Sequence, residues 1–213
     1  MLHKGASIIP LLEIHDDLVV VLFGNSNSNI YMDAGGHAEE NETIFDTAIR
    51  EGREESLNAF NICIDKLYNF NDIKTKINNY VEYRGYYGFF NKYNIKFEDL
   101  AQIYNNNKKI IYSSSNVPEY WKETKSITIF KIDSLIRGNS YDNKYFECLD
   151  YFNNPKIVYY RPIKYILRAI TTNIIKKNDD KWIVNLPTLN IISKINMNET
   201  LDFLNKTISI NIL

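Results

Sequence analysis

Apolar and polar positions alternate along this chain in a way that predicts short strands and two longer helices. Ser7 to Ile14 and Leu18 to Gly24 read as two β-strands joined by a tight turn at His15-Asp16-Asp17. Leu18 to Phe23 is the longest apolar stretch and suits a buried strand. Asn25 to Asn29 is a polar loop of turn-forming residues. Ile30 to Asp33 is a short strand that runs into Gly35-Gly36, and a helix follows. Thr43 is its N-cap, with Asp46 three residues later as a variant of the capping box.

Beyond that helix, Phe60 to Leu67 and Tyr80 to Asn91 read as strands, and Phe97 to Tyr104 as a short helix. Lys109 to Ser113 and Ser126 to Ile132 read as further strands, and Pro162 to Lys176 as the second long helix. From about Asn178 the chain carries no recognisable motif. No internal repeat and no Pro- or Ser-rich linker forces a boundary. Strands on both sides of one early and one late helix predict an α/β sandwich with a mixed sheet.

At about 100° per residue, Phe45, Ala48, Ile49 and Gly52 of the first helix share a face that packs on the sheet. Glu51, Glu54 and Glu55 share the neighbouring face, so their like charges repel. Arg50 and Arg53 compensate in part, and a divalent cation would do so fully. Mg²⁺ takes oxygen ligands and keeps waters and substrate phosphates in its shell. Read alone, "REGREE" is a charged, solvated helix face.

Composition narrows the classes. The 213 residues are 45% hydrophobic and 24% charged, with a formal net charge of -1. That supports one well-buried core and predicts no bulk attraction to nucleic acid. The N-terminal apolar run is short and broken by Pro10, so neither a signal peptide nor a membrane span is expected there. Cys63 and Cys148 lack metal-type spacing and are expected as reduced, buried thiols of an intracellular, cytoplasmic protein.

The spacing around the helix is specific. Gly36 is followed after five residues by Glu42, then after seven by Arg50 and Glu51, then after two by Glu54 and Glu55. This resembles the Nudix box, G-x5-E-x7-R-E-U-x-E-E-x-G-U, where U is apolar. The glycine and every charged position match. Three structural positions depart from it: Gly52 and Asn58 stand where the pattern has apolar residues, and Leu57 where it has glycine. Gly52 costs the helix about 1 kcal/mol relative to alanine but allows close approach to the sheet. Asn58 is expected to take the left-handed conformation, ending the helix one residue later.

The resemblance implies a Nudix-type α/β/α sandwich over residues 1–177, with 178–213 as an extension on the same domain. It implies hydrolysis of a pyrophosphate linkage in a nucleoside diphosphate joined to another group, assisted by Mg²⁺ or Mn²⁺. Glu51, Glu54 and Glu55 and the Gly35 carbonyl would be metal ligands, with Glu54 a ligand or a base. Arg50 would orient Glu51, and Glu42 would steady Arg50. A further acid often comes from outside the box; Glu123 is the candidate and Glu119 its alternative. Arg84 and Tyr86, on one face of a strand, and Trp121 are candidates to pair with phosphate or stack on a base. His37, beside the glycines, could touch phosphate.

Two other readings stay open. One is mRNA decapping, motivated by a resemblance to Nudix proteins of large DNA viruses and protists whose boxes also end "EES"; it would make capped RNA the partner and calls for a basic groove. The other is a nucleotide-binding or sensor module that has lost catalysis; such modules lose box residues, and all are present here. Many Nudix proteins are homodimers, but the sequence carries no interface signature.

Overall fold

Leu18 to Phe23 form the centre of β2 (Asp17–Asn25), and all six side chains are buried. The computed structural model describes residues 3–59, 67–69, 80–89, 96–185 and 191–193. Period-two alternation splits β2 between two cores. Val19, Val21 and Phe23 enter one, and Leu18, Val20 and Leu22 enter the other. An unbroken apolar run is what a strand covered on both faces requires.

β1 (His3–Ile14) joins β2 through a two-residue turn, with Ile14 paired to Asp17. His15 and Asp16 both have positive φ, 49° and 63°, which matches the twist of a tight hairpin. Asp17 therefore belongs to the strand rather than the turn. The N-terminal half of β1 pairs antiparallel with β4 (Ala34–His37), and its C-terminal half with β2. Along its other edge β1 runs parallel to β6 (Tyr80–Phe89). This fork seats the Gly35-Gly36 segment at the middle of the sheet.

The remaining described strands are β3 (Ile30–Met32), β5 (Leu67–Asn69), β7 (Thr124–Lys131), β8 (Asn139–Ser140), β9 (Tyr145–Leu149), β10 (Pro155–Tyr159) and β13 (Ile191–Ser193). The mixed sheet has the order β13-β5-β6-β1-β2-β3-β10-β9-β8, with β4 paired to β1 and β7 to β2. On one face α1 (Ile44–Glu55) and α2 (Phe97–Ser113) pack through Ala48, Ile49, Phe97, Leu100 and Tyr104. On the other, α3 (Ile132–Ile136) and α4 (Tyr160–Thr171) pack through Ile132, Leu135, Ile163, Tyr165, Ile166 and Ala169. The architecture is the expected α/β/α sandwich with a mixed sheet.

Several expected elements differ. Lys109 to Ser113 is not a strand but the last turns of α2. Phe97, Leu100, Tyr104 and Ile111 keep helical spacing and pack on one core. The apparent strand came from adjacent Ile110 and Ile111, yet Ile110 points to solvent at 68% exposure. The late helix starts at Tyr160 and stops at Thr171. There Asn173 takes φ 58°, its N–H donates to the Ile170 carbonyl and the Ile174 N–H donates to that of Ala169, a Schellman ending. Ile175 and Lys176 instead open a hairpin of β11 (Ile175–Asn178) and β12 (Lys181–Val184). Ile175, Trp182 and Val184 pack on the second core. The strand expected at Phe60 to Leu67 lies, except for Leu67, outside the described residues, as does Cys63. Among the described residues, no helix is long and apolar enough to cross a membrane.

Candidate active site

Helix α1 starts where its cap predicts: the Asp46 N–H donates to Thr43 Oγ1 at 3.1 Å. Its apolar face lies close against β1. A Cβ on Gly52 would stand 2.8 Å from Ile8 Cδ1, so the apolar residue of the Nudix pattern has no room here without a shift of Ile8. The helix ends in a Schellman motif, with Asn58 N–H donating to the Arg53 carbonyl and Leu57 N–H to that of Glu54. Leu57 is itself left-handed at φ 50°, followed by Asn58 at φ 61°. The expectation that Asn58 alone replaces the pattern's glycine is corrected: Leu57 occupies that position in the same conformation and buries its side chain completely.

With its apolar face on the sheet, α1 turns its glutamates toward the Gly35-Gly36 segment of β4. They line one cavity of about 460 Å³ with Gly35, Gly36, His37, Ala38, Glu39, Arg50, Tyr120, Glu123 and Arg161. That volume suits a small ligand. Five glutamates and two arginines line it.

Arg50 is the hub. Its Nε donates to Glu42 Oε1 at 2.9 Å and its Nη2 to Glu42 Oε2 at 3.1 Å and to the His37 carbonyl at 2.6 Å. Its Nη1 donates to Glu51 Oε1 at 2.9 Å and Glu54 Oε2 at 3.0 Å. Glu42 is fixed in turn by the Thr47 hydroxyl at 2.9 Å and the Glu39 N–H at 3.0 Å. Burial pushes the Glu42 carboxyl up, but the hydrogen bonds from Arg50, Glu39 and Thr47 outweigh it, and the net shift is downward. The expected chain from Glu42 to Arg50 to Glu51 is thus present as direct contacts.

The other carboxylates are less well compensated. Burial raises Glu51 and pushes Glu54 up to about 7, in both cases against the attraction of Arg50. Glu55 is raised well above the usual carboxylate range, first by burial and then by the charge of Glu51. Its Oε1 accepts the Gly35 N–H at 3.2 Å. Glu54 and Glu55 are only 6% and 8% exposed. Buried carboxylates compensated this incompletely gain from any further cation.

That donor set fits a hard divalent ion: several carboxylates, no soft ligand, and backbone glycines beside them. As the side chains are placed, however, no group of three or more His, Cys, Asp or Glu among the described residues is arranged to hold a metal. The reason is visible in the geometry, because Glu51 and Glu54 are both drawn onto Arg50 Nη1.

Of the acids outside α1, Glu123 lines the cavity. Glu119 does not; it is exposed and pairs with Lys122 at 2.8 Å. Two expected substrate contacts are corrected. Tyr86 is buried in the first core, its ring edge-on to Phe45 at 5.7 Å, so it cannot stack on a base. Trp121 packs partly against the same core and is not a lining residue. Its neighbour Tyr120, 47% exposed, is the lining aromatic instead. The Arg84 side chain lies outside the described residues. His37 does line the cavity, and its carbonyl is committed to Arg50.

Asp33, Arg161, Tyr120 and Glu39 were not singled out by sequence. Asp33 and Arg161 pair across 128 residues, a distance over which spacing carries no information. For Tyr120, a 3₁₀ turn at Glu119–Lys122 decides which of two adjacent aromatics faces the cavity.

No family model matches the chain, and no curated protein matches it at a significant level. Solved structures that it resembles include an Ap4A hydrolase of C. elegans, at 15% identity over 63% of this chain and 83% of that one, with a TM-score of 0.39. A mutT/nudix family protein from Listeria innocua is 12% identical over 79% of this chain and 91% of that one, with a TM-score of 0.43. A MutT/nudix family protein from Enterococcus faecalis is 14% identical over 82% and 64%, with a TM-score of 0.42. These scores all lie under 0.5.

Proposed function

We propose that this chain is a metal-dependent hydrolase of a pyrophosphate linkage in a nucleotide-type substrate. One observation carries the reading. Glu51, Glu54 and Glu55 converge with Glu123 on a cavity lined by Gly35 and Gly36, and Glu51 and Glu54 share one arginine. A surface helix has no need to bury such a set. A site that recruits Mg²⁺ or Mn²⁺ does.

Glu51, Glu54 and Glu55 would hold the ion, with Gly35 beside them. When bound, it would neutralise pyrophosphate oxygens and acidify a water. The chain's own residues do the rest. Arg50, gripped by Glu42 and the His37 carbonyl, holds Glu51 and Glu54 together through its Nη1, a contact that a bound ion would compete with. Gly36 leaves space for the Glu51 carboxylate. Glu54, where it is not itself a ligand, and Glu123, on the cavity wall, are the two groups placed to take the proton of an attacking water.

The test is a panel of nucleoside triphosphates, ADP-ribose, NADH, dinucleoside polyphosphates, diphosphoinositols and capped RNA, each with Mg²⁺ and with Mn²⁺. The expected result is cleavage that needs the metal and disappears in Glu54→Gln/Glu55→Gln. Release of m7GDP from capped RNA alone would make decapping the activity. Folded protein that cleaves nothing in either metal would overturn the hydrolase reading in favour of a binding module.

A further inference from the structure

The second arginine of the cavity is anchored from another part of the chain. Arg161 stands in the first turn of α4, and its Nε donates to both oxygens of Asp33, at 2.8 and 2.9 Å. Asp33 sits between β3 and β4, is 0% exposed and is not among the lining residues. Arg161 is. The pair therefore has an orientation: Asp33 lies behind the wall and Arg161 reaches the cavity. Tyr159 supports the guanidinium from another side, with Cζ 5.9 Å from the ring centroid.

Stability alone gives little reason for such a pair. Desolvating two charges costs about as much as their attraction returns, and apolar residues of similar volume often serve as well or better. Ile163, Tyr165 and Ile166 on the same helix show that α4 packs apolar side chains here. What the pair supplies is a planar guanidinium of fixed direction, the group best matched to phosphate oxygens. The cavity also needs one. Arg50 is committed to Glu42, Glu51, Glu54 and the His37 carbonyl, and Arg161 is the second arginine that lines the cavity.

We propose that Arg161 is a substrate-binding residue that holds a phosphate of the substrate, and that Asp33 is the residue that positions it. This rests on the pyrophosphatase reading and adds to it a group that grips a substrate phosphate beside the carboxylates. The substrate must then present an anionic phosphate to Arg161.

The experiment titrates inorganic pyrophosphate into the protein at saturating Mg²⁺ by calorimetry. In parallel, KM and kcat are measured on whichever panel compound the wild type cleaves. Because Arg161→Ala would leave Asp33 charged and buried, the variants are Arg161→Lys and the double change Asp33→Asn/Arg161→Met. Both are checked for the wild-type circular dichroism spectrum and melting behaviour. The expected result is pyrophosphate affinity lowered about tenfold or more in each, with KM rising more than kcat falls. A folded double variant with wild-type affinity and KM would overturn the role of Arg161 while leaving the hydrolase reading intact. A wild type that neither binds pyrophosphate nor cleaves any panel compound would overturn the hydrolase reading, and the anchor with it.

Discussion

Gly36 lies against the Glu51 carboxylate so closely that a Cβ placed on it would stand 2.4 Å from Oε1 and 2.7 Å from Cδ. Its φ is not positive, since no glycine in the described residues has a left-handed φ. The glycine is therefore needed for space and not for backbone freedom. Gly36→Ala is expected to fold, because the clash falls on the end of a side chain that can swing. The carboxylate must leave its place, and turnover with Mg²⁺ should fall about 100-fold, the scale of displacing a group from reacting geometry by about 1 Å. Steady-state kinetics beside a melting curve checks this. Wild-type turnover in a folded variant would show that Glu51 is not needed where it sits.

Arg50 joins Glu42, Glu51 and Glu54 in one network. Arg50→Ala leaves these carboxylates with no common cation and should destabilise the metal-free protein by about 2 to 3 kcal/mol, scaled down from fully buried pairs because Arg50 keeps some solvent contact. Added Mg²⁺ should recover part of that loss, since a ligand of the folded state alone raises its stability. Denaturant unfolding with and without Mg²⁺ measures both. Equal losses in the two conditions would argue that no ion enters among these glutamates.

Leu57 combines a left-handed backbone with complete burial. Glycine at this position relieves about 1 kcal/mol of conformational strain but forfeits about 2 to 3 kcal/mol of side-chain burial. Leu57→Gly, which restores the residue of the Nudix pattern, is expected to destabilise the protein by about 1 to 2 kcal/mol. The carbonyl of Leu57 also accepts Asn107 Nδ2 at 2.7 Å, which ties the end of α1 to α2. A gain in melting temperature for Leu57→Gly would mean the strain outweighs the packing.

Burial raises the Cys148 thiol to about 11, with the nearby Glu147 charge adding to it. The side chain is buried in the second core. At pH 8 only about one molecule in a thousand would carry the reactive thiolate. In a Cys63→Ser background, iodoacetamide at pH 8 should leave Cys148 unmodified over hours in the native state and alkylate it in denaturant, as read by mass spectrometry. Rapid native labelling would show that β9 opens far more readily than its packing implies.

What was readable in sequence divides along a physical line. The strands β1 and β2, the cap at Thr43, the faces of α1 and the network from Glu42 through Arg50 to Glu51 all depend on residues within about 20 positions of one another. For those, period, capping chemistry and helical spacing carry the information. Even the end of α1 was half visible, in Asn58, although burial and not propensity chose Leu57 for the same conformation. Where local pattern is ambiguous, tertiary packing decided: Ile110 and Ile111 read as a strand until Ile111 found the core and Ile110 the solvent. Tyr86 looked like a ligand-stacking residue until its strand placed it against Phe45.

The sequence by itself determined the helix, its cap and its carboxylates, because residues three and four apart on a helix must share a face whatever surrounds them. Only the tertiary structure decided what those carboxylates meet. It laid α1 close on β1 at Gly52, brought Glu123 and Tyr120 in from beyond α2, and paired Asp33 with Arg161 across the chain. Those contacts follow from strand order and layer packing, which join residues distant in sequence and leave no periodic trace in it.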